Sequence, residues 1–443
     1  MSRHDDLDLF DGEGRHDPVA DFFARERDAV EELPGHDLHF QGILRKARPA
    51  RRGTRWLAAG VAAAAVAGVA AAAVVAMQPG DEQANPAGPP STVSLPTPSP
   101  ATTPPAVPVL PMDGQFLPRS LSSGDDATRA VLGAARCGED STCAVILRTT
   151  DDGAGWVNTA ALPDLTVAPP GGVATEADQV GILRWADAEV GYLAGSTIRR
   201  TTDGGATWAD MPYPGGTIIA AEIGDGIVRF VSAGECTDDG CSGPLKVYQA
   251  GTGDDVADVV ALEADLGGIT DAHVVVRGGL LAVHTEDGSH AYRLGATSEH
   301  IEPCDEGEQV WFTSPANGEV APVAACVSTD DDRSTVSLRT TDDEGLTWTD
   351  LSGPAEVTGE VSGFTSPGPG TFVLATRGAD RAGTIVRSTD EGRSWQPAAA
   401  DPVRWTWVAA GGGERVYGLA EDSVGFLEST DGGATWRTQV LAP

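Results

Sequence analysis

One eight-residue motif recurs five times beyond residue 148 and constrains the fold more than any other feature of the chain. Its pattern is Ser/Thr-x-Asp-x-Gly-x-Ser/Thr-Trp, with Gly155 in place of the second hydroxyl residue in the first copy. Apolar alternating runs, which are typical of strands, precede the copies, and each copy ends in a tryptophan that can open the next strand. The five copies begin at Thr149, Thr201, Thr341, Ser388 and Ser429.

The residue types of the motif predict a tight turn between two strands. Aspartate beside a hydroxyl residue accepts hydrogen bonds from nearby backbone N–H groups, and glycine supplies a backbone position with φ > 0. The tryptophan ring can pack against a neighbouring sheet. We therefore predict a structural role for Thr149, Asp151, Gly153 and Trp156; Thr201, Asp203, Gly205, Thr207 and Trp208; Thr341, Asp343, Gly345, Thr347 and Trp348; Ser388, Asp390, Gly392, Ser394 and Trp395; and Ser429, Asp431, Gly433, Thr435 and Trp436.

The spacing of the motif tryptophans indicates a repeat array. Three gaps are 52, 47 and 41 residues, whereas the gap between Trp208 and Trp348 is 140 residues, close to three repeats. Two degenerate copies are expected in that gap, after Leu245–Tyr248 and after Ala291–Leu294. Five units plus two give seven, each of a length that suits a four-stranded propeller blade. The sequence predicts an all-β, seven-bladed β-propeller over residues 113–443.

The motif resembles the Asp-box, or BNR repeat, of sialidase-like β-propellers. The second unit, from Leu183-Arg184-Trp185 through Gly191-Tyr192 to its motif, is also similar to the repeat of photosystem II assembly factors. The resemblance covers about three quarters of the chain and implies strands on both sides of each turn. In the second unit it implies strands over 180–185, 190–193 and 197–200, with Trp208 opening the outer strand.

The resemblance to sialidases raises the alternative of an exo-α-sialidase-like glycoside hydrolase. Such enzymes need an arginine cluster, a tyrosine nucleophile paired with a glutamate, and an aspartate acid/base at the centre. Their Phe-Arg-Ile-Pro motif has only the misordered string from Phe116 to Arg119 as a counterpart. No such set can be transferred by position, and we therefore expect no catalytic residues. Trp311, Trp405 and Trp407 are candidates for a glycan-binding face or, more often for such residues, for packing between blades.

The six cysteines all lie downstream of residue 136 and have even number and close spacing, which favours disulfides in an oxidising compartment. A zinc site is the competing interpretation, but CxxC pairs are absent and only four histidines accompany them. On the propeller layout, two pairs close hairpins between the second and third strands of a blade, and the third pair lies within one blade. The predicted pairs are Cys137 with Cys143, Cys236 with Cys241, and Cys304 with Cys326.

The N-terminal quarter has a different composition. Residues 1–55 are predicted to form a cytoplasmic arm, partly disordered, with short helix signals from Asp17 and Asp37 and a basic end from Arg45 to Arg55. Residues 56–77 carry no charge and are long enough to span a membrane as one helix. The positive flank places the N-terminus inside. Residues 78–112 form a Pro/Ser/Thr-rich linker that extends the following domain away from the membrane.

The net negative charge limits the classes of ligand that the chain is expected to bind. Acidic residues outnumber basic ones 65 to 30, which argues against a nucleic-acid ligand. The glycine runs precede no predicted helix, so we expect no phosphate-binding loop and no cofactor. Acidic hairpin loops such as Asp330–Asp332 are interpreted as solvated surface rather than a calcium site. The sequence thus predicts a single-pass cell-membrane protein whose extracytoplasmic propeller binds an unknown protein or glycan without catalysis.

Overall fold

The computed structural model describes the C-terminal three quarters of the chain. The described residues are 116–124, 127–137, 142–169, 172–295, 297–313, 321–378, 383–398, 403–411, 413–421 and 424–441. The predicted arm, membrane helix and linker over 1–112 lie outside these residues. Within the described part, no helix has the length and apolar character that crossing a membrane requires.

The described residues form six sheets of antiparallel strands that follow one another along the chain, apart from one short parallel pair at the start of the second sheet. The first two sheets contain β1 Leu117–Ser123, β2 Arg129–Arg136, β3 Thr142–Thr149 and β4 Val157–Leu162, then β5 Thr166–Val167, β6 Gln179–Trp185, β7 Gly191–Gly195, β8 Ile198–Thr201 and β9 Ala209–Asp210.

The third sheet has eight strands because one long strand serves two groups. They are β10 Thr217–Gly224, β11 Ile227–Ala233, β12 Glu235–Thr237, β13 Gly240–Gly251, β14 Asp258–Val275, β15 Leu280–Thr285, β16 Gly288–Arg293 and β17 Glu299–Ile301. Strand β14 pairs with β13 up to Ile269 and with β15 from Ile269 onward. Side chains from the two halves share one core cluster, so the halves pack against each other as neighbouring sheets do.

Each of the last three sheets contains four consecutive strands. The fourth is β18 Gln309–Thr313, β19 Val323–Asp330, β20 Arg333–Thr340 and β21 Thr349–Thr358; the fifth is β22 Glu360–Gly368, β23 Thr371–Arg377, β24 Ile385–Ser388 and β25 Gln396–Pro397; the sixth is β26 Trp405–Ala410, β27 Val416–Ala420, β28 Gly425–Ser429 and β29 Arg437–Val440.

The first strand of each group adjoins the first strand of the next. We call these the leading strands: β1, β6, β10, the second half of β14, β18, β22 and β26. Contacts join them in this order, and β27 and β28 of the last sheet contact β1 of the first. The sheets therefore form a closed ring in which the leading strands surround the centre and the fourth strands lie outside.

The core lies between the sheets. One apolar cluster joins the first and second sheets, another the second and third, and the last cluster joins the sixth sheet to the first through Tyr417, Phe426 and Phe116. Because neighbours cover both faces of a sheet, its second strand is buried almost continuously, as in β7, where all five residues are buried. The described chain is thus an all-β propeller, which confirms the predicted fold class; its strands form six sheets, one of which has eight strands.

Candidate functional site

The motif residues lie in turns between the third and fourth strands, toward the outside of each sheet. In the second sheet, Asp203 Oδ1 accepts hydrogen bonds from the Thr201 hydroxyl at 2.9 Å and from the Thr207 backbone N–H at 2.9 Å, while Oδ2 accepts the Thr207 hydroxyl at 2.6 Å. Thr201 Oγ1 accepts the Gly205 N–H at 2.9 Å. The aspartate and the first hydroxyl residue together close the turn.

The same bonds recur in three of the other four turns, and the first turn lacks only the bond to Oδ2 because Gly155 has no hydroxyl. The carboxylates of Asp151, Asp343, Asp390 and Asp431 each accept the N–H of the residue four positions later at 2.8–3.0 Å. The fourth and fifth motif residues both have positive φ, and the fourth is Asp152, Glu344 or Glu391 in three turns. The turn therefore requires positive φ at both positions. Glycine meets this requirement at the fifth position in every copy, whereas the fourth position also accepts aspartate or glutamate.

Hydrogen bonding keeps the motif carboxylates ionised. The Thr347 hydroxyl, followed by its N–H, lowers the pKa of Asp343 to about 2, and the Ser394 hydroxyl does the same for Asp390. A general acid at neutral pH needs a raised pKa instead. The recurrent aspartates are therefore unsuited to donate a proton, and their turns are spread around the ring rather than gathered at one point.

An arginine directly before the motif links one sheet to the next. Arg148 donates to the Gly204 carbonyl at 3.0 Å, Arg200 to the Thr252 carbonyl at 2.9 Å, and Arg387 to the Gly432 carbonyl at 2.7 Å. Each carbonyl belongs to the turn after the third strand of the following unit. Sequence reasoning missed this feature, although the signal was present as an arginine before three of the five motifs.

At the junction of the last sheet with the first, the residue before the motif is Glu428 instead. Its carboxylate is fully buried and contacts Arg129 of the first sheet at 3.0 Å. Arg415, Arg437 and Gln439 of its own sheet also donate to it, at 3.0, 2.8 and 2.7 Å. Burial raises the pKa of Glu428, but the hydrogen bonds from Arg437 and Gln439 and the charge of Arg129 outweigh burial and lower it.

The polar groups that converge in this molecule lie on the leading strands. A β-bulge interrupts nearly every leading strand at the same register position, at Arg119, Gly181, Ile219, Thr270, Ser362 and Thr406. Bulges redirect side chains and are common beside functional sites. The third residue after the bulge is Ser122, Arg184, Glu222, His273, Thr365 or Ala409, so these residues occupy equivalent places around the centre.

Charge is concentrated on the leading strands of the first three sheets. Arg184 Nε contacts Glu222 at 3.3 Å, and His273 Nε2 contacts Asp271 at 3.1 Å. Burial raises the pKa of Asp271, but the charges of His273 and His284 lower it to about 2. Half of the Asp271 side-chain surface is accessible to solvent. Arg119 has no hydrogen-bond or ion-pair partner among the described residues, and burial lowers its pKa to about 10.

Two histidines flank a tryptophan beside this charged group. The Trp311 ring lies 4.5 Å from His273 and 4.6 Å from His284, between ring centroids. Burial lowers the pKa of His284 to about 4, and its Nδ1 lies 2.9 Å from Ser289 Oγ. Trp311 is 6% exposed and Trp405 is fully buried. These rings pack between sheets, as does the partly buried Trp407, and they form no open glycan platform.

The three predicted disulfides are confirmed. Cys137 is bonded to Cys143 and Cys236 to Cys241, each closing a hairpin between the second and third strands of a group. Cys304 is bonded to Cys326 in the fourth sheet. Glu308 lies near this third pair, but two sulfurs in a disulfide offer no thiolate to a metal ion.

All five tyrosines lie among the described residues, and the hydroxyls of three bind backbone carbonyls. Tyr192 donates to Thr252, Tyr213 to Ser196 and Gly216, and Tyr248 to Gly215. Burial raises the pKa of Tyr192, Tyr213 and Tyr292, and that of Tyr417 to about 12. A nucleophilic tyrosine needs the opposite shift. None of these four tyrosines has the lowered pKa that a nucleophile needs.

The ring and its central charged group define a β-propeller with a polar centre. It is similar to YCF48 bound to D1 peptide (16% identity, TM-score 0.45, 70% of this chain and 90% of that one) and to YCF48 from Cyanidioschyzon merolae (12%, 0.47, 72% and 97%). Sqt1 of Saccharomyces cerevisiae is a third similar structure (11%, 0.44, 73% and 85%). No protein-family model and no curated protein matches the chain.

Proposed function

We propose that the chain is a single-pass membrane protein whose residues 113–443 form a seven-bladed Asp-box propeller outside the cytoplasm. Its function is that of a non-catalytic binding or scaffold module for a protein or glycan ligand at the cell envelope. Counting the two halves of the eight-stranded sheet as separate blades supports seven, since each half has its own leading strand and the halves share a core.

The basic cluster from Arg45 to Arg55 ahead of the uncharged segment 56–77 supports the orientation. Three disulfides and no free cysteine among the described residues are typical of an oxidising compartment. Protease added to spheroplasts is expected to digest the propeller and to leave the N-terminal arm protected. Digestion of the arm before the propeller would overturn this topology.

One observation carries the binding function. The recurrent carboxylates are bound within their own turns, whereas Arg119, at the bulge of the first leading strand, has no hydrogen-bond or ion-pair partner among the described residues. A desolvated cation costs free energy unless a ligand or solvent compensates it. The ligand is therefore expected to bind at the leading strands and to approach Arg119 with an electron-rich group.

The test compares an exposed threonine on a leading strand with an exposed threonine on an outer strand. A photo-crosslinking residue is introduced at Thr270, on a leading strand, or at Thr349, on an outer strand, in the full-length protein in cells. The prediction is a discrete cross-linked product only from position 270, reduced by Arg119→Gln and unaffected by Arg136→Gln, which changes an exposed arginine on β2. Equal products from both positions would refute a central binding site.

The glycoside hydrolase alternative has a direct test. Four of the five tyrosines have a raised pKa and the motif aspartates a lowered one, the opposite of what a nucleophile and a general acid need. The full-length protein is expected to release no sialic acid from a fluorogenic sialoside between about pH 4 and 8. Turnover that a single tyrosine or arginine substitution abolishes would replace the binding proposal with the enzyme.

A further inference from the structure

An open cavity of about 560 Å³ lies at the first degenerate turn, in the third sheet. It is separate from the central group of the leading strands. Its lining combines half-buried donors with exposed carboxylates and an aliphatic wall, and its size falls in the range of small-molecule sites. The lining residues are Arg229, Gln249, Asp254, Asp258, Val259 and Val260, with backbone from 250–251 and from Gly295.

The turn beside the cavity lacks the tryptophan that ends the five complete motifs. Gln249 pairs with Asp258 across β13 and β14, as Arg200 pairs with Ala209 across β8 and β9. Ala257 therefore holds the place of Trp208, whose indole packs against Trp185 in the second sheet. Ala257 packs into the core between the second and third sheets. Arg229 and Gln249 lie on the other face of the sheet, toward the Val276 carbonyl of the following unit, and the cavity opens on that face.

The charges around the cavity are incompletely compensated. Arg229 donates to the neutral acceptors Gln249 Oε1 and the Val276 carbonyl, each at 2.9 Å, and no carboxylate lies within ion-pair distance of it among the described residues. Burial lowers its pKa. Asp258, paired with Gln249 on the adjoining strand, has no described cation partner. Among the described residues, Asp254 accepts only the Gly251 N–H, at 2.8 Å.

We propose that this cavity is a second binding site, for a small ligand that carries both a carboxylate and ammonium groups on an aliphatic chain. Arg229 and the free amide N–H groups of Gln249 bind the carboxylate. Asp254 and Asp258 bind the ammonium groups at the mouth, and Val259 and Val260 contact the chain. A free diamino acid and a peptide end with the same groups share this chemistry, and the site does not depend on the central one.

The experiment measures calorimetric binding of three probes to the full-length protein at low salt: L-lysine, norleucine, which lacks the side-chain ammonium, and 1,5-diaminopentane, which lacks the carboxylate. Lysine is expected to bind about tenfold or more tightly than either analogue, because each lacks one charged hydrogen-bonding group. N-acetyl-glycyl-lysine, which carries the carboxylate and side-chain ammonium of a peptide end but no free α-ammonium, separates recognition of a peptide end from recognition of a free diamino acid. Equal binding of lysine and diaminopentane would mean only attraction of cations to an acidic protein and would overturn the proposal.

Substitutions of residues that line the cavity test whether lysine binds there. Arg229→Gln and Asp258→Asn are each expected to weaken lysine about tenfold, whereas Asp265→Asn, with the same charge change on the same strand outside the cavity, leaves it unchanged. Thermal melting checks that Asp258→Asn and Asp265→Asn are both folded, and this pair decides. Equal affinity in that pair refutes the site, and so does the absence of lysine binding to the unmodified protein.

Discussion

The residue before the motif contacts the next sheet with a positive charge at three junctions within the ring and with a negative charge at the junction that closes it. Within the ring, Arg148, Arg200 and Arg387 reach from the end of a third strand to a backbone carbonyl of the next unit. At the closure, the same position is Glu428, and the cation comes from Arg129 of the first sheet.

The difference teaches what each junction requires of its neighbour. A carbonyl oxygen is present whatever the side chain, so an arginine can join units whose sequences differ. A buried ion pair requires one particular partner, since a buried charge left alone is costly. We infer that the closing pair makes the last sheet recognise the first, whereas the other junctions make neighbours adhere in chain order.

The largest effect is expected at the closing pair. Glu428→Gln leaves Arg129, 1% exposed, with only the half-exposed Asp152 as an anionic partner. It should lower the free energy of unfolding by about 3 kcal/mol, the low end for a broken buried pair, because Asp152 remains. Urea denaturation followed by tryptophan fluorescence measures it. Glu222→Gln is the matched control, because its pair with Arg184 is half exposed and should contribute less than about 1 kcal/mol. Equal losses in the two variants would remove the distinction between junctions.

A motif aspartate should matter less. Asp203→Ala removes the acceptor for the Thr207 N–H and two hydroxyls, which should cost about 1–3 kcal/mol. The corresponding changes at Asp151, Asp343, Asp390 and Asp431 should behave alike. Cross-linking at position 270 should stay unchanged in all five. Variants that lose the cross-link while they keep their melting temperature would show that these turns take part in binding.

The hydrogen bond at a junction within the ring should contribute less to stability than the closing ion pair or a motif aspartate. Arg387→Met keeps the aliphatic stem against the sheets and removes the hydrogen bond to the Gly432 carbonyl, for an expected loss of about 1–2 kcal/mol. Thermal melting of Arg387→Met and of Glu428→Gln, each against the unmodified protein, compares the two losses of stability. A loss at Arg387 as large as at Glu428 would mean that charge on the partner adds nothing to closure.

Acid titration gives the smallest effect per group. The lowered pKa of Glu428, and the values of about 2 for Asp343 and Asp390, mean that these carboxylates stabilise the folded chain above their unfolded pKa near 4. That contribution is lost as pH falls from about 4 toward 2. Melting temperatures over this window should decline, and Glu428→Gln should decline less steeply. Parallel curves for the two proteins would contradict the lowered pKa of Glu428.

Much of the fold could be predicted because the repeat is local. The three strands predicted in the second unit end within two residues of β6, β7 and β8, and the two degenerate copies were expected at the strands now seen as β13 and β16. The motif residues specify a turn through bonds within eight residues, which sequence can reveal.

The junctions and the centre could not be predicted in the same way. Nothing local distinguishes Glu428 from a solvent-exposed glutamate, because its partner Arg129 lies about 300 residues away in the sequence. The leading-strand bulges also escape a pattern search, since a bulge shifts the alternation of side chains by one residue and hides the equivalence of Arg184, Glu222 and His273. Both features follow from how the sheets meet.

The way the ring closes has a consequence for chain order. The first sheet contains only strands from 117–162 and the sixth only strands from 405–440, so no strand is exchanged between the two ends. Phe116 and Leu441 nevertheless lie in one apolar cluster. A circular permutant that joins these ends and opens the chain between two other sheets would keep every sheet intact. The fold therefore does not require that any particular sheet come first in the chain.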